Sequence, residues 1–337
     1  MIMSQIRHTL TVTRFCPYNN NEIECERMFF MFGHRSDGYL VKEIDPIVAL
    51  TPYIMPMRCD AQVMSDYKVD FEKLARYIVA KADEGYKITF MEIVIAAYVR
   101  VVSQIPEVNR FVSNKRLYAR NELAVSFALL QTSSTGKIAE NTTKCNFDPA
   151  DTIYDVADRI AEVVERCRKE EADNSTMKVA RLLLKPILAN SVVGLARLLD
   201  RYGIMPRYIL DASPFHTSMF ITNLASIGLP AVNHHIYNFG TCSQFVSIGS
   251  VERTAQAGPQ GVAQRKRILP LGLVCDERIA EGAMYAKMLA LWNKLLNDPV
   301  QLEQPPAKVF YDEGHEYHLP APQKRMGKVN AGTAVQA

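Results

Sequence analysis

The sequence lacks most of the short marks by which a function is read at sight. Its seven cysteines, at positions 16, 25, 59, 145, 167, 242 and 275, form no Cys-x-x-Cys pair. An odd, dispersed set argues against a disulfide framework and against a zinc site, so no metal is expected. It fits a reducing, cytoplasmic compartment. No uninterrupted apolar run reaches the roughly 18 residues that a membrane span needs. Residues 1–27 lack the charged start, apolar core and small-residue cleavage site of a signal peptide. There is no GxGxxG, Walker loop, HExxH or GxSxG. There is no dense Lys/Arg block, and the net charge is only +3, which gives no support for nucleic-acid binding. No internal repeat is present.

What is there reads as an ordinary soluble globular chain. It has 337 residues, 48% hydrophobic and 22% charged, enough for one large or two ordinary domains. Residues 1–40 are polar and irregular, with Asn19-Asn20-Asn21, and read as an arm. A Gly33–Gly38 turn, containing His34, Arg35 and Asp37, ends it. Residues 41–305 carry the regular patterning of one folded domain. From residue 306 on, Pro and polar residues dominate, and the tail from about 322 is expected to be disordered.

Within the domain the periodicities are clear. Pro46, Pro52 and Pro56 keep residues 45–57 out of a long helix. Asp70 is placed as the N-cap of a helix from Phe71 to about Glu84, with Gly85 as its stop. Thr89–Gln104 is apolar on most faces and predicts a buried helix ending before Pro106. Leu117–Tyr118 and Leu123–Gln131 read as strands, followed by a turn at Ser133–Gly136. Thr152 caps an amphipathic helix whose apolar face is Ile153, Val156, Ile160, Val163, Val164 and Cys167. Ser218–Leu224, Ser243–Val251 and Ile268–Cys275 read as strands. Ala225–Gly240 is a loop holding His234-His235, and Ala255–Gly261 a hairpin tip. Ala283–Asn297 reads as a helix ended by Asp298-Pro299.

Residues 179–199 stand out as strongly apolar, interrupted by Arg181, Lys185 and Arg197, with Pro186 expected to kink them. Two readings stay open. One is a buried core or a trimer-contact helix pair. The other is an amphipathic element that touches a membrane peripherally or shelters a fatty substrate.

Three segments then resemble one family. Ile105-Pro106-Glu107-Val108-Asn109-Arg110-Phe111 follows a buried helix, as does the Pro-x-x-Asn step of the dihydrolipoamide acyltransferases and chloramphenicol acetyltransferase. Phe220-Ile221-Thr222-Asn223-Leu224-Ala225-Ser226-Ile227-Gly228 resembles that family's Phe-Thr-Ile-Ser-Asn-Leu-Gly segment. Cys275-Asp276-Glu277-Arg278-Ile279-Ala280-Glu281-Gly282 falls in the frame of its Asp-His-Arg-x-x-Asp-Gly motif. The order and spacing of these segments agree over roughly residues 45–305. The resemblance implies an α/β fold, a mixed sheet flanked by helices in a two-layer sandwich. It implies a homotrimer with sites in channels between subunits, and coenzyme A as the acyl donor. Asn223 and Arg278 fall at cofactor-binding positions. Thr222 falls on the hydroxyl that stabilises the oxyanion. Glu277 stands where the family has its histidine base, and Glu281 where it has the last Asp.

The substituted histidine leaves three readings. A buried Glu277 with a raised pKa would act as base toward a hydroxyl, thiol or amine. Alternatively the base is His234 or His235, in the loop after the Thr222 strand. The bland reading of that pair is local hydrogen bonding at a subunit contact. In the third reading the protein is a non-catalytic trimeric scaffold or acyl-coenzyme A-binding relative, with Asp276, Glu277 and Arg278 as structural ion pairs. No lipoyl-type domain or Ala/Pro-rich linker precedes residue 45, so no lipoyl group is expected on the chain. The acceptor is expected to be a small or lipid-like molecule. His34 and Asp37 are most simply a turn contact, His216 a structural residue, and Cys275 a packed core thiol.

Overall fold

The computed structural model describes residues 35–132, 138–170, 186–257 and 263–318. In chain order the elements are β1 (Gly38–Leu40), α1 (Pro46–Ile54), β2 (Gln62–Asp70), α2 (Phe71–Asp83), α3 (Phe90–Gln104), β3 (Arg110–Ser113), β4 (Arg116–Arg120), β5 (Leu123–Thr132) and β6 (Ile138–Phe147). They continue with α4 (Ile153–Glu170), α5 (Pro186–Arg201), α6 (Arg207–Ala212), β7 (Met219–Asn223), β8 (Gln244–Ile248), β9 (Glu252–Ala257), β10 (Ala263–Asp276) and α7 (Gly282–Asn297).

Helices α2, α3 and α4 begin where a short polar side chain can satisfy the first free amides. Asp70 ends β2 and accepts from the amides of Glu72 at 3.0 Å and Lys73 at 3.3 Å. Thr89 and Glu92 form a reciprocal capping box at the start of α3. Thr152 and Asp155 do the same for α4, with the Thr152 amide 3.0 Å from Asp155 and the Asp155 amide 3.3 Å from Thr152.

The main sheet runs β2-β10-β8-β7-β5-β6, with β9 paired to the first half of β10. The β5/β7 and β7/β8 pairs are parallel and the others antiparallel, so the sheet is mixed. A second small sheet, β1-β4-β3, stands beside it. One face of the main sheet carries Phe127, Ile221, Val246, Leu271 and Leu273. It packs with the buried side of α3 and with Val156 and Ile160 of α4 and Met288 and Trp292 of α7. The opposite face carries Phe220, Phe245 and Val274. Among the described residues no helix covers it there. A loop does, through Ile236, Cys242 and Tyr237. The helix-flanked mixed sheet is the architecture expected from the sequence.

Several local expectations changed. Pro186 is the first residue of α5, where its missing N–H costs nothing; the kink expected there involves residues 179–185, outside the described residues. The stretch is no core helix of this chain: Val192, Val193, Leu195 and Leu198 are 40–56% exposed. Residues 179–185 lie outside the described residues, as do the 1–34 arm, the Ser133–Gly136 turn, part of the hairpin tip and the tail from 319. Residues 45–57 form no long helix, as expected, but a nine-residue α1 with Pro52 in its last turn. Strand β2 had not been anticipated. Its exposed positions hide the alternation, and what holds it is nine-residue pairing along β10. Among the described residues no helix is long and apolar enough to cross a membrane.

Candidate functional site

The turn after β10 is built around Asp276. Its side chain is wholly buried at the strand's last position. Arg278 closes back on it, with Nε 2.8 Å from Oδ1 and Nη2 2.7 Å from Oδ2. Arg58 approaches from the other side, 3.4 Å from Oδ2, and donates to the carbonyls of Tyr237 at 2.5 Å and Gly240 at 3.0 Å. Burial lowers the pKa of the Arg58 guanidinium and Asp276 opposes that. Tyr285 of α7 donates to the Asp276 carbonyl at 2.6 Å. One carboxylate therefore holds two buried guanidiniums, a geometry that is costly to break. Arg278 also donates to the carbonyls of Met55 and Pro56. Its donors are committed to the protein's own oxygens, so Arg278 braces the turn rather than reaching for a ligand.

Glu277 follows Asp276 with its amide donating to the Ala61 carbonyl at 2.9 Å and its side chain exposed. The burial invoked to raise its pKa is not present in the single chain. Glu281 is also exposed and stands at the N-cap of α7 with no side-chain capping bond. Cys275 is buried, and that burial pushes its thiol well above the ordinary range, which suits packing and not nucleophilic attack.

Thr222 lies on β7, paired in register with Ser247 of β8, which is paired with Gly272 of β10. By strand alternation it shares the loop-covered face with Phe220. Both Thr222 and Asn223 are half-buried, and the Asn223 Oδ1 is a buried acceptor with no hydrogen-bond partner.

The 229–240 loop lies along that same face. At one end Ser247 Oγ bridges both backbone groups of Val232, donating to its carbonyl at 2.6 Å and accepting from its amide at 3.0 Å. At the other, Asn238 accepts from the Cys59 amide at 3.2 Å. Between them His234 stacks on Phe245, with ring centroids 4.2 Å apart, and on His235 at 4.7 Å. His234 is half-buried and His235 exposed. Gly272 makes this close loop possible. A Cβ there would sit 2.3 Å from the Val232 carbonyl oxygen.

The register decides which candidates meet. Phe245 stands two residues before Ser247, so the Cα atoms of Phe245 and Thr222 are about 8 Å apart by strand geometry. Thr222, His234 and His235 therefore share one region, while Asn223, next along the strand, is turned by the same alternation to the opposite face. Glu277 does not join them. Strand β10 runs opposite to β7, and Glu277 lies five residues beyond the Gly272 level and two strands across. That separates it from Thr222 by on the order of 19 Å within one chain.

His216 is buried, with Nδ1 2.8 Å from Ser213 Oγ and Nε2 3.4 Å from Asp200. Arg35 also pairs with Asp200, at 2.5 Å, and with Asp37 at 2.7 Å. Burial alone would raise the Asp200 carboxyl, but His216 and Arg35 outweigh it and hold it at about 2. Asp37 thus serves this ion-pair cluster. Arg58 had no role assigned from sequence, and Asp276 only that of a structural ion pair. No spacing flags Arg58, because its partner lies 218 positions away. Among the described residues no cluster of His, Cys, Asp and Glu is suited to hold a metal.

No family model matches the sequence, and no curated protein matches it. Solved structures do show likeness. A probable dihydrolipoamide acetyltransferase from Listeria monocytogenes is 13% identical, with 89% of this chain and 99% of that chain covered and a TM-score of 0.48. The cubic core of a pyruvate dehydrogenase multienzyme complex gives 15%, 86%, 99% and 0.48. A chloramphenicol acetyltransferase gives 11%, 77%, 98% and 0.42. At these identities and scores no residue role follows from them.

Proposed function

We propose that the protein is an acyltransferase that moves an acyl group from coenzyme A to a small or lipid-like hydroxyl, thiol or amine acceptor. The observation that carries this reading is one shared face. The Thr222 hydroxyl and the stacked His234–His235 pair stand together on the loop-covered side of the sheet, with the orphan acceptor Asn223 Oδ1 at the adjoining strand end. The resemblance of the Thr222 and Glu277 segments to the acyltransferase motifs supports it.

The residues divide the work as follows. A buried amide oxygen without a donor is costly to leave unpaired, so Asn223 fits an amide N–H of the coenzyme A arm. Coenzyme A, as its acyl thioester, supplies the activated carbonyl. Thr222 donates its hydroxyl to the oxygen that becomes negative when the acceptor attacks. A neutral imidazole of His235 or His234 takes the acceptor's proton. Glu277 enters only from a second copy of the chain, since its own Thr222 is too far away. A homotrimer with sites between copies would supply that second copy, and the exposed apolar residues of α5 offer contact area for it.

A rival reading, a non-catalytic trimeric scaffold, is favoured by one observation: Asp276 and Arg278 are engaged in bracing the turn. Free-thiol release from a panel of acyl-coenzyme A thioesters separates the two. The acyltransferase releases thiol, and Thr222→Val slows release about 10²–10³-fold. No release and no coenzyme A binding would sink the enzyme reading. Light scattering tests the trimer, and a liposome flotation assay tests peripheral membrane contact through α5.

A further inference from the structure

A second feature lies away from Thr222, at the opposite ends of the central strands. A 480 Å³ cavity opens between the end of α1, the β3–β4 turn, the last turns of α5 and the Arg278 turn. That is the size of a small-molecule site. Its lining holds five cations, Arg58, Lys115, Arg197, Arg201 and Arg278. Asp200 is the lining's one carboxylate, and it is already ion-paired to Arg35.

The five cations differ in their commitments. Arg58 and Arg278 are buried and share Asp276 beneath the floor, one negative charge for two positive. Lys115, Arg197 and Arg201 are exposed at the mouth. Arg201 donates from Nε to Asn114 Oδ1 at 3.0 Å, which leaves its two terminal nitrogens without a partner among the described residues. Arg197 has no ion pair or hydrogen bond among them. Lys115 rests over the Tyr53 ring, 5.1 Å from its centroid, and has no carboxylate partner there. It is delivered by a tight turn in which Asn114 and Lys115 both take positive φ, 47° and 61°. Like charges gathered around a concavity repel one another, and an anion placed among them relieves that repulsion.

The rest of the lining is mixed, with Ser113, Asn114 and Asn238 as its neutral polar side chains. Pro52, Pro56, Met57, Val112 and Phe239 supply apolar surface to the same cavity. Free phosphate would leave that surface wet. A phosphorylated organic molecule would use it together with the cations. Guanidinium groups match phosphate oxygens in charge and in fork geometry. We propose that this cavity binds a phosphorylated organic molecule, with Lys115, Arg197 and Arg201 on a diphosphate and the Pro52–Phe239 wall against its organic part. The inference stands apart from acyl transfer, because the cavity lies at the opposite ends of the strands from Thr222.

The test is calorimetric titration of the full chain with ADP, inorganic pyrophosphate and adenosine at low salt. ADP and pyrophosphate are expected to bind, ADP several-fold more tightly, and adenosine is expected not to. The double variant Arg197→Ala/Arg201→Ala should weaken ADP by about tenfold or more. Both side chains are exposed, so the fold survives their loss, and a thermal melt verifies it. The charge-matched control Arg76→Ala/Arg166→Ala, exposed on α2 and α4, should bind ADP as the wild type does. Absence of binding by both ADP and pyrophosphate overturns the proposal. So does unchanged ADP affinity in the Arg197/Arg201 variant, or an equal loss in the control. Pyrophosphate binding as tightly as ADP overturns the organic wall.

Discussion

Asp276→Asn tests whether the turn after β10 is held by its buried charge. The carboxylate is fully buried and bonded to Arg278 through both oxygens and to Arg58 through one. The amide that replaces it keeps a carbonyl oxygen for Arg278 but loses the charge. Two buried guanidiniums are then left without a counterion. Removing one partner of a buried ion pair costs ~3–5 kcal/mol. Melting shifts by about 2–4 °C per kcal/mol in domains of 150–250 residues, and by less in larger ones. A fall of about 6–10 °C in Tm is therefore expected. Glu277→Gln is the matched control: the next residue, also a carboxylate, but exposed, so a change within about 0.5 kcal/mol is expected. Circular dichroism melts of the three proteins decide it. An Asp276→Asn protein that melts within a degree of wild type would refute the claim that Asp276 braces the turn. A drop in Glu277→Gln as large as in Asp276→Asn would refute it as well.

Other outcomes follow from single contacts. Gly272→Ala puts a methyl group against the Val232 carbonyl; it should cost about 1–3 kcal/mol in urea unfolding and displace the loop that carries His234 and His235. Asp200 has a folded pKa of about 2 against an ordinary 3.8, so it stabilises the fold by ~2 kcal/mol above about pH 4. That contribution fades as pH falls through 2, and the urea-unfolding gap between wild type and Asp200→Asn should close over the same range. If thiol release is found, His235→Ala should slow it about 10²-fold or more, whereas Glu277→Gln with unchanged release would remove that glutamate from the proton transfer.

The parts legible in the sequence were those set by local physics. The capped starts of α2, α3 and α4 were readable because Asp70, Thr89 and Thr152 each precede a helical apolar pattern. Strands β7 and β10 were readable because their cores are continuous apolar runs. Strand β2 was not, since its exposed Val63 and Met64 break the alternation and its stability comes from the distant β10. The α5 stretch stayed open between core, trimer contact and amphipathic surface because composition reports hydrophobicity without saying what covers it; its exposed valines and leucines remove the core of this chain. Arg58 was invisible for the same reason: its chemistry is defined by Asp276, Tyr237 and Gly240, all contributed through the tertiary fold.

The motif segments show the limit most sharply. Side by side in sequence, the Thr222 and Glu277 segments look like two halves of one site. The sheet separates them, because β7 and β8 are parallel while β10 runs back against β8. A strand's direction decides which end of the sheet its last residue reaches, and that is not written in either segment. The two halves can then face each other only across a boundary between copies. Dilution gives the argument its test: a protein whose thiol release depends on Glu277 should lose activity per chain as its oligomer dissociates. One that uses His234 or His235 beside its own Thr222 should keep it. Activity that needs Glu277 and yet persists unchanged in an isolated single chain would contradict the geometry of the sheet itself.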